Sequence, residues 1–198
     1  MQIQNRATLV GNLCNASPAA DGVPPLLCLD AEVELTSENG MRRLPVGEFI
    51  QGNRKTARRE NELLTAIVIP AHACSGHSSF IKLGARRYLV ISISMVAVNI
   101  ELGVSGQIER AAIAVGSCSE VALRLASLES SLIGVQADDC CNSSADSSVA
   151  KLIEAAVRAE LSPVDDVRAG GQYRYQASSE MVSRTLAQAV VSAQRDQT

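Results

Sequence analysis

"VISISMVAVNIELGVSGQIERAAIAVGSC", residues 90–118, is the stretch on which the fold turns. Two apolar runs rich in β-branched residues flank Gly103, Val104, Ser105 and Gly106, and a four-residue link with two glycines suits a tight reversal. The pattern predicts two antiparallel strands, with a third just before them in "SFIKLGARRY" (79–88). Downstream the period lengthens. "SEVALRLASLESSLIG" (119–134) predicts a helix with Ser119 as its N-cap. In "SSVAKLIEAAVRAEL" (147–161), Val149, Leu152, Ile153, Ala156, Val157 and Leu161 recur on one helical face. "QYRYQASSEMVSRTLAQAVVSAQ" (172–194) spaces Met181, Val182, Leu186, Ala189 and Val190 in the same way, after a break at Gly170 and Gly171. Strands followed by helices indicate an α+β domain rather than a βαβ fold.

Upstream of this block, "LLCLDAEVELTSENGMRRLPV" (26–46) alternates as two strands around Glu38, Asn39 and Gly40, because Asn-Gly readily takes positive φ. The charged "GNRKTARRENE" (52–62) covers surface, and "ELLTAIVIP" (62–70) is a further strand that Pro70 ends. The small, polar "AHACSGHSS" (71–79) has the composition of a connector. It separates a first unit, 1–71, from a second, 78–195.

The 198 residues are 46% hydrophobic, with a net charge of −3 and only 3% aromatic residues, none of them Trp. That composition suits a folded protein and argues against nucleic acid as a partner, since no basic surface is advertised and aromatic rings for base stacking are scarce. The apolar runs are too short to span a bilayer, and "MQIQNRATLV" lacks the features of a signal peptide. A cytoplasmic protein without membrane contact and with six reduced cysteines is expected. His72, Cys74 and His77 form H-x-C-x-x-H, three zinc-compatible ligands without a fourth, so an exposed connector is expected there and no metal. Cys140 and Cys141 do not match the C-x-x-C arrangement of redox pairs. The signatures of serine hydrolases, P-loop enzymes, zincins and classical dinucleotide folds are absent, and no catalytic residue is assigned.

One segment suggests a ligand. "VGNLCNASPAAD" (10–21) combines Gly11, two asparagines and Ser17-Pro18, and reads as a turn rather than a helix. Short side chains let a ligand approach the main chain, and Asn12, Asn15, Ser17 and Asp21 offer hydrogen-bonding groups. Lys82, Arg86 and Arg87 add a small basic group at a strand end, suited either to an anionic ligand or to protecting a sheet edge.

In order along the chain, "ATLVGNLCNASPAADGVPPLLCLDAEVEL", "ELLTAIVIP", "SFIKLGARR" and "LSPVDDVRAGGQYR" resemble successive landmarks of the flavin-binding, or medium, subunits of molybdenum hydroxylases, a family that includes carbon monoxide dehydrogenase and the flavin domain of xanthine dehydrogenase. The resemblance covers nearly the whole chain. It implies that the first unit is the second half of an FAD-binding domain. The second unit is then the family's C-terminal α+β domain, an antiparallel sheet of about three strands packed on helices. It further implies FAD as cofactor, with Gly11, Asn12, Asn15, Ser17 and Asp21 along it and Lys82 near the flavin edge. The implied function is electron transfer, with a molybdenum-cofactor large subunit and a 2Fe-2S small subunit as partners.

Two departures qualify the resemblance. Where the family commonly reads T-[IL]-G-G-N, this chain reads Thr8-Leu9-Val10-Gly11-Asn12, and a branched Val10 would obstruct the cofactor if that position required positive φ. The family also has a preceding FAD subdomain with its own glycine-rich loop, and nothing upstream of Met1 supplies it. Weak or no FAD binding by the 198 residues alone is therefore expected. The alternative is a non-enzymatic, self-associating scaffold that has lost its flavin.

Overall fold

The computed structural model describes residues 6–88, 90–142, 144 and 147–196. The segment expected to be a turn begins with a helix, α1 (Leu9–Asn15). Thr8 caps it by accepting the Gly11 N–H at 2.9 Å, and Ala16 ends it in the left-handed region at φ 45°. The difference has a local cause: Pro18 lies beyond the helix end, where it stops a helix without breaking one. A second short helix, α2 (Val23–Cys28), starts with proline in its first turn, so residues 26–28 are helical rather than extended. The expected hairpin follows as β1 (Glu32–Ser37) and β2 (Gly40–Pro45), with Gly40 at φ 124° closing the turn opposite Ser37.

The charged stretch holds more structure than its composition suggests. After α3 (Val46–Phe49), β3 (Ile50–Gly52) leads into it and pairs antiparallel with β4 (Lys55–Thr56) inside it. Then β5 (Leu63–Val68) pairs with β1 on the side away from β2, completing an antiparallel β2-β1-β5 sheet. Leu13, Val23, Leu26, Val33, Leu35 and Phe49 fill the space between this sheet and the two helices.

A 3-10 turn, Ala71–Cys74, leads into the second sheet: β6 (His77–Leu83), β7 (Ser94–Leu102), β8 (Ile108–Gly116) and the short β9 (Leu123–Arg124). All neighbours are antiparallel, in the order β6-β7-β8-β9, so the expected three strands gain a fourth. Ser119 is not an N-cap. Its hydroxyl donates to the Cys118 carbonyl at 2.6 Å, and the helix begins later, as α4 (Ala126–Leu132). Glu160 supplies the missing cap from a distance, accepting the Ala126 N–H at 2.9 Å. After α5 (Ala137–Cys140) come the two long helices, α6 (Ser148–Glu160) and α7 (Gly171–Asp196), which carry the expected apolar faces. No helix among the described residues is long and apolar enough to cross a membrane.

The second sheet is covered on both faces, and β7 shows how. Val96, Val98 and Ile100 point to one side, into a core with Val182, Leu186 and Ile153 from α7 and α6. Ala97, with Ala112 and Ala114 of β8, faces the other way and packs against Cys28 and Leu27 of α2. Small side chains on that face let α2 lie close to the sheet, which joins the two units. Asn99, fully buried in mid-strand, donates from Nδ2 to the Ala73 carbonyl at 3.0 Å and holds the connector down. Gly76 is required there, because a Cβ would fall 1.9 Å from Asn99 Oδ1.

Candidate functional site

The link between α1 and α2 is built by its own polar side chains. Ser17 Oγ accepts the Ala19 N–H at 3.3 Å, its carbonyl accepts the Ala20 N–H at 3.0 Å, and Asn12 Oδ1 accepts the Gly22 N–H at 3.2 Å. These bonds fold the chain back on α1 and present Asp21 to the second sheet. There Asp21 meets Lys82 of β6: Nζ lies 2.5 Å from Oδ2. The other carboxylate oxygen accepts the Ser92 hydroxyl at 2.7 Å. Both its oxygens are therefore engaged by the second unit.

The remaining candidates lie nearby on the first unit. Gly11 is exposed on α1, and a Cβ there would sit 2.9 Å from Thr8 Oγ1. Asn15 is also exposed, and its Oδ1 accepts the Arg54 guanidinium at 2.6 Å. Val10 lies inside α1 and is not among the positive-φ residues, so the conformational objection to it does not arise. Ser17 lines a cleft of about 720 Å³ between the units, together with Pro18 and Arg54 on one wall and Ile91, Ser92, Ser119 and Arg168 on the other.

Arg174 forms the floor of this cleft. It is 3% exposed, donating from NH1 to the carbonyls of Ile93 (2.5 Å) and Ser117 (2.8 Å) and from NH2 to Asp166 Oδ1 (2.8 Å). Burial pushes the Asp166 carboxyl up. The amides of Arg168 and Ala169 and the two guanidinium groups outweigh that effect and hold it at about 2. Ser117 stands at φ 65°, and its buried Oγ has no hydrogen-bond partner among the described residues.

Sequence reasoning named Asp21 and Lys82 but not Ser92, Arg54 or Arg174. Arg174 lies in a landmark motif, so its position carried a signal without a role. Ser92 carried none. The tempting connector motif comes apart: His72 Nε2 lies 3.4 Å from Asp30, while His77 Nδ1 lies 3.5 Å from Asp196. Burial pushes the Cys28 thiol far up, which leaves it unreactive where α2 packs on the second sheet.

Residues 1–72 match the family described as the FAD binding domain in molybdopterin dehydrogenase, and residues 79–189 match the CO dehydrogenase flavoprotein C-terminal domain. The 6-hydroxypseudooxynicotine dehydrogenase complex subunit alpha of Paenarthrobacter nicotinovorans is 33% identical over 96% of this chain and 61% of its own length. The nicotinate dehydrogenase FAD-subunit of Eubacterium barkeri is 31% identical over 67% of this chain and 46% of its own. Among solved structures, reconstituted CO dehydrogenase from Oligotropha carboxidovorans superposes with a TM-score of 0.85 at 26% identity, covering 96% of this chain and 63% of that one. The chain thus spans about three fifths or less of the length of these relatives.

Proposed function

This chain belongs to the FAD-binding subunits of the molybdenum hydroxylase family, and from that membership we propose that it provides one wall of an FAD site within an electron-transferring oxidoreductase. Residues 1–71 would then be the second half of the FAD-binding domain, and 78–195 the family's C-terminal domain. When bound, FAD would supply the redox chemistry for electron transfer between iron–sulfur clusters of a small subunit, downstream of a molybdenum cofactor on a large subunit, and a final acceptor.

The residues present suit that cofactor. The exposed face of α1 is bare at Gly11, which permits close approach to the main chain. Asn15 and Ser17 offer polar groups beside it, and Asp21 is placed for hydroxyls of a sugar. Lys82 brings a positive charge toward the flavin edge. Asn12 acts indirectly, by folding the Ser17 to Asp21 link into place. The cleft of about 720 Å³ that begins at Ser17 is the entry for the final acceptor.

One observation supports this reading: Asp21 and Lys82, 61 residues apart in sequence and each a candidate contact implied by the resemblance, meet at 2.5 Å between the α1–α2 link and β6. The test is a titration of the chain with FAD, followed by quenching of flavin fluorescence. Saturable, weak binding is expected. Lys82→Met should weaken it by roughly tenfold, the scale of a hydrogen bond to a charged group. Gly11→Val should weaken it through bulk on the bare face. A folded wild-type chain that leaves the fluorescence unchanged at every concentration overturns binding by this wall alone, and binding that neither Lys82→Met nor Gly11→Val weakens overturns the assignment of the wall.

A further inference from the structure

Ser92 is 1% exposed, yet it sits in the link between β6 and β7, beside Tyr88 at 68% and Ile91 at 51% exposure. Its hydroxyl is spent on Asp21 Oδ1 at 2.7 Å, while Lys82 holds Oδ2. We infer that Ser92 is a positioning residue: it locks the Asp21 carboxylate against Lys82 and ties that pair to the wall of the cleft. The inference rests on the flavin reading only for what Lys82 faces.

The terminal torsion of an aspartate is broad and sets no orientation by itself. With one oxygen held by a lysine, whose ammonium is a rotatable point donor, the carboxylate retains that freedom. A second donor from a rigid element removes it. Ser92 has such a foundation: the next residue, Ile93, donates its N–H to the Leu83 carbonyl at 2.8 Å, and its own carbonyl accepts Arg174 NH1 at 2.5 Å. Arg174 is itself anchored by Asp166 and the Ser117 carbonyl. Arg174 thus anchors Ile93, whose peptide bond to Ser92 ties the cleft floor to the hydroxyl that holds Asp21. Ser92 and Ile91 line the cleft, so the residue belongs to both places. Lys82 keeps 27% and Asp21 47% of its side-chain surface exposed, so the pair is open to a ligand and benefits from being held in place beforehand.

The acetylation rate of Lys82, followed by mass spectrometry on the ligand-free chain, reads the pairing directly, since an ion-paired amine is a poor nucleophile. Ser92→Ala should raise the rate roughly fivefold, the loss of one charge-assisted hydrogen bond partly replaced by water. Ser92→Thr, which keeps the hydroxyl, should restore the wild-type rate. In an Asp21→Asn background, Ser92→Ala should add nothing. An unchanged rate in Ser92→Ala, failure of threonine to restore it, or an equal rise in the Asp21→Asn background each overturns the inference. FAD titration of the same variants separates the two proposals. Acetylation that follows the expected pattern while FAD affinity stays constant upholds the positioning role and removes the flavin from it.

Discussion

Single side chains in this molecule are set by what closes around them. Glu62 is 4% exposed, and the Arg42 guanidinium, with the Arg59 amide, holds its carboxyl at about 2 against an ordinary 4.5. Asp166 reaches about 2 from an ordinary 3.8. Both folded-state values are depressed, so each carboxylate contributes stability that is complete above its ordinary value and is lost as pH falls through the folded one. Urea unfolding measured in steps from pH 5 to pH 2 should therefore show a steep decline below pH 4.5. Asp166→Asn should flatten its lower part, between 3.8 and 2, while Glu62→Gln should flatten the whole span. Neither residue stood out in the sequence. An acid among arginines is ordinary, and what distinguishes these two is the geometry of the amides and guanidinium groups around them.

Elements were legible where their periodicity was their own. The hairpin at Gly40, the β7–β8 pair and the long helices α6 and α7 all follow from local pattern. The failures were short elements stabilised from outside. Without a strong local periodic signal, α4 starts where Glu160 reaches its first amides, and α1 forms because Thr8 caps it and the core takes Leu13. The contact of α2 with the alanine face of the second sheet is another arrangement invisible in periodicity, because Val96, Ala97 and Val98 in β7 read as one apolar run. Ala97→Leu should push α2 off that face at a cost of about 1–3 kcal/mol, measured by chemical denaturation. Val98→Ile, on the face toward α7, should cost less if the core there repacks around one added methylene.

The β2-β1-β5 and β6-β7-β8-β9 sheets, with their helices, meet at a seam, and the contact there is ionic as well as apolar. Asp30 lies at its centre, accepting Arg124 NH1 at 2.5 Å, with His72 Nε2 at 3.4 Å and Arg110 NH1 at 3.7 Å from its other oxygen. The terminal nitrogens of Arg110 are buried without hydrogen bonds among the described residues, and Glu101, which accepts Arg110 Nε at 2.9 Å, together with Asp30 supplies the counter-charge that makes their burial tolerable. Asp30→Ala should destabilise the fold by about 1–2 kcal/mol. It should also speed limited proteolysis in the connector, around residues 71–76, because His72 loses its anchor. The same seam brings Asp21 to Lys82, so the packing that stabilises the molecule also assembles the candidate site.

The two hairpins, the change from strands to helices and the family landmarks could all be read from the chain, because each depends on neighbours a few residues apart. The landmarks even named Asp21 and Lys82. Their meeting, the buried Ser92 that completes it and the cleft floored by Arg174 could not be read. They join residues 61 to 81 positions apart, and their distances follow from how α2 and the second sheet pack, a property no local stretch contains.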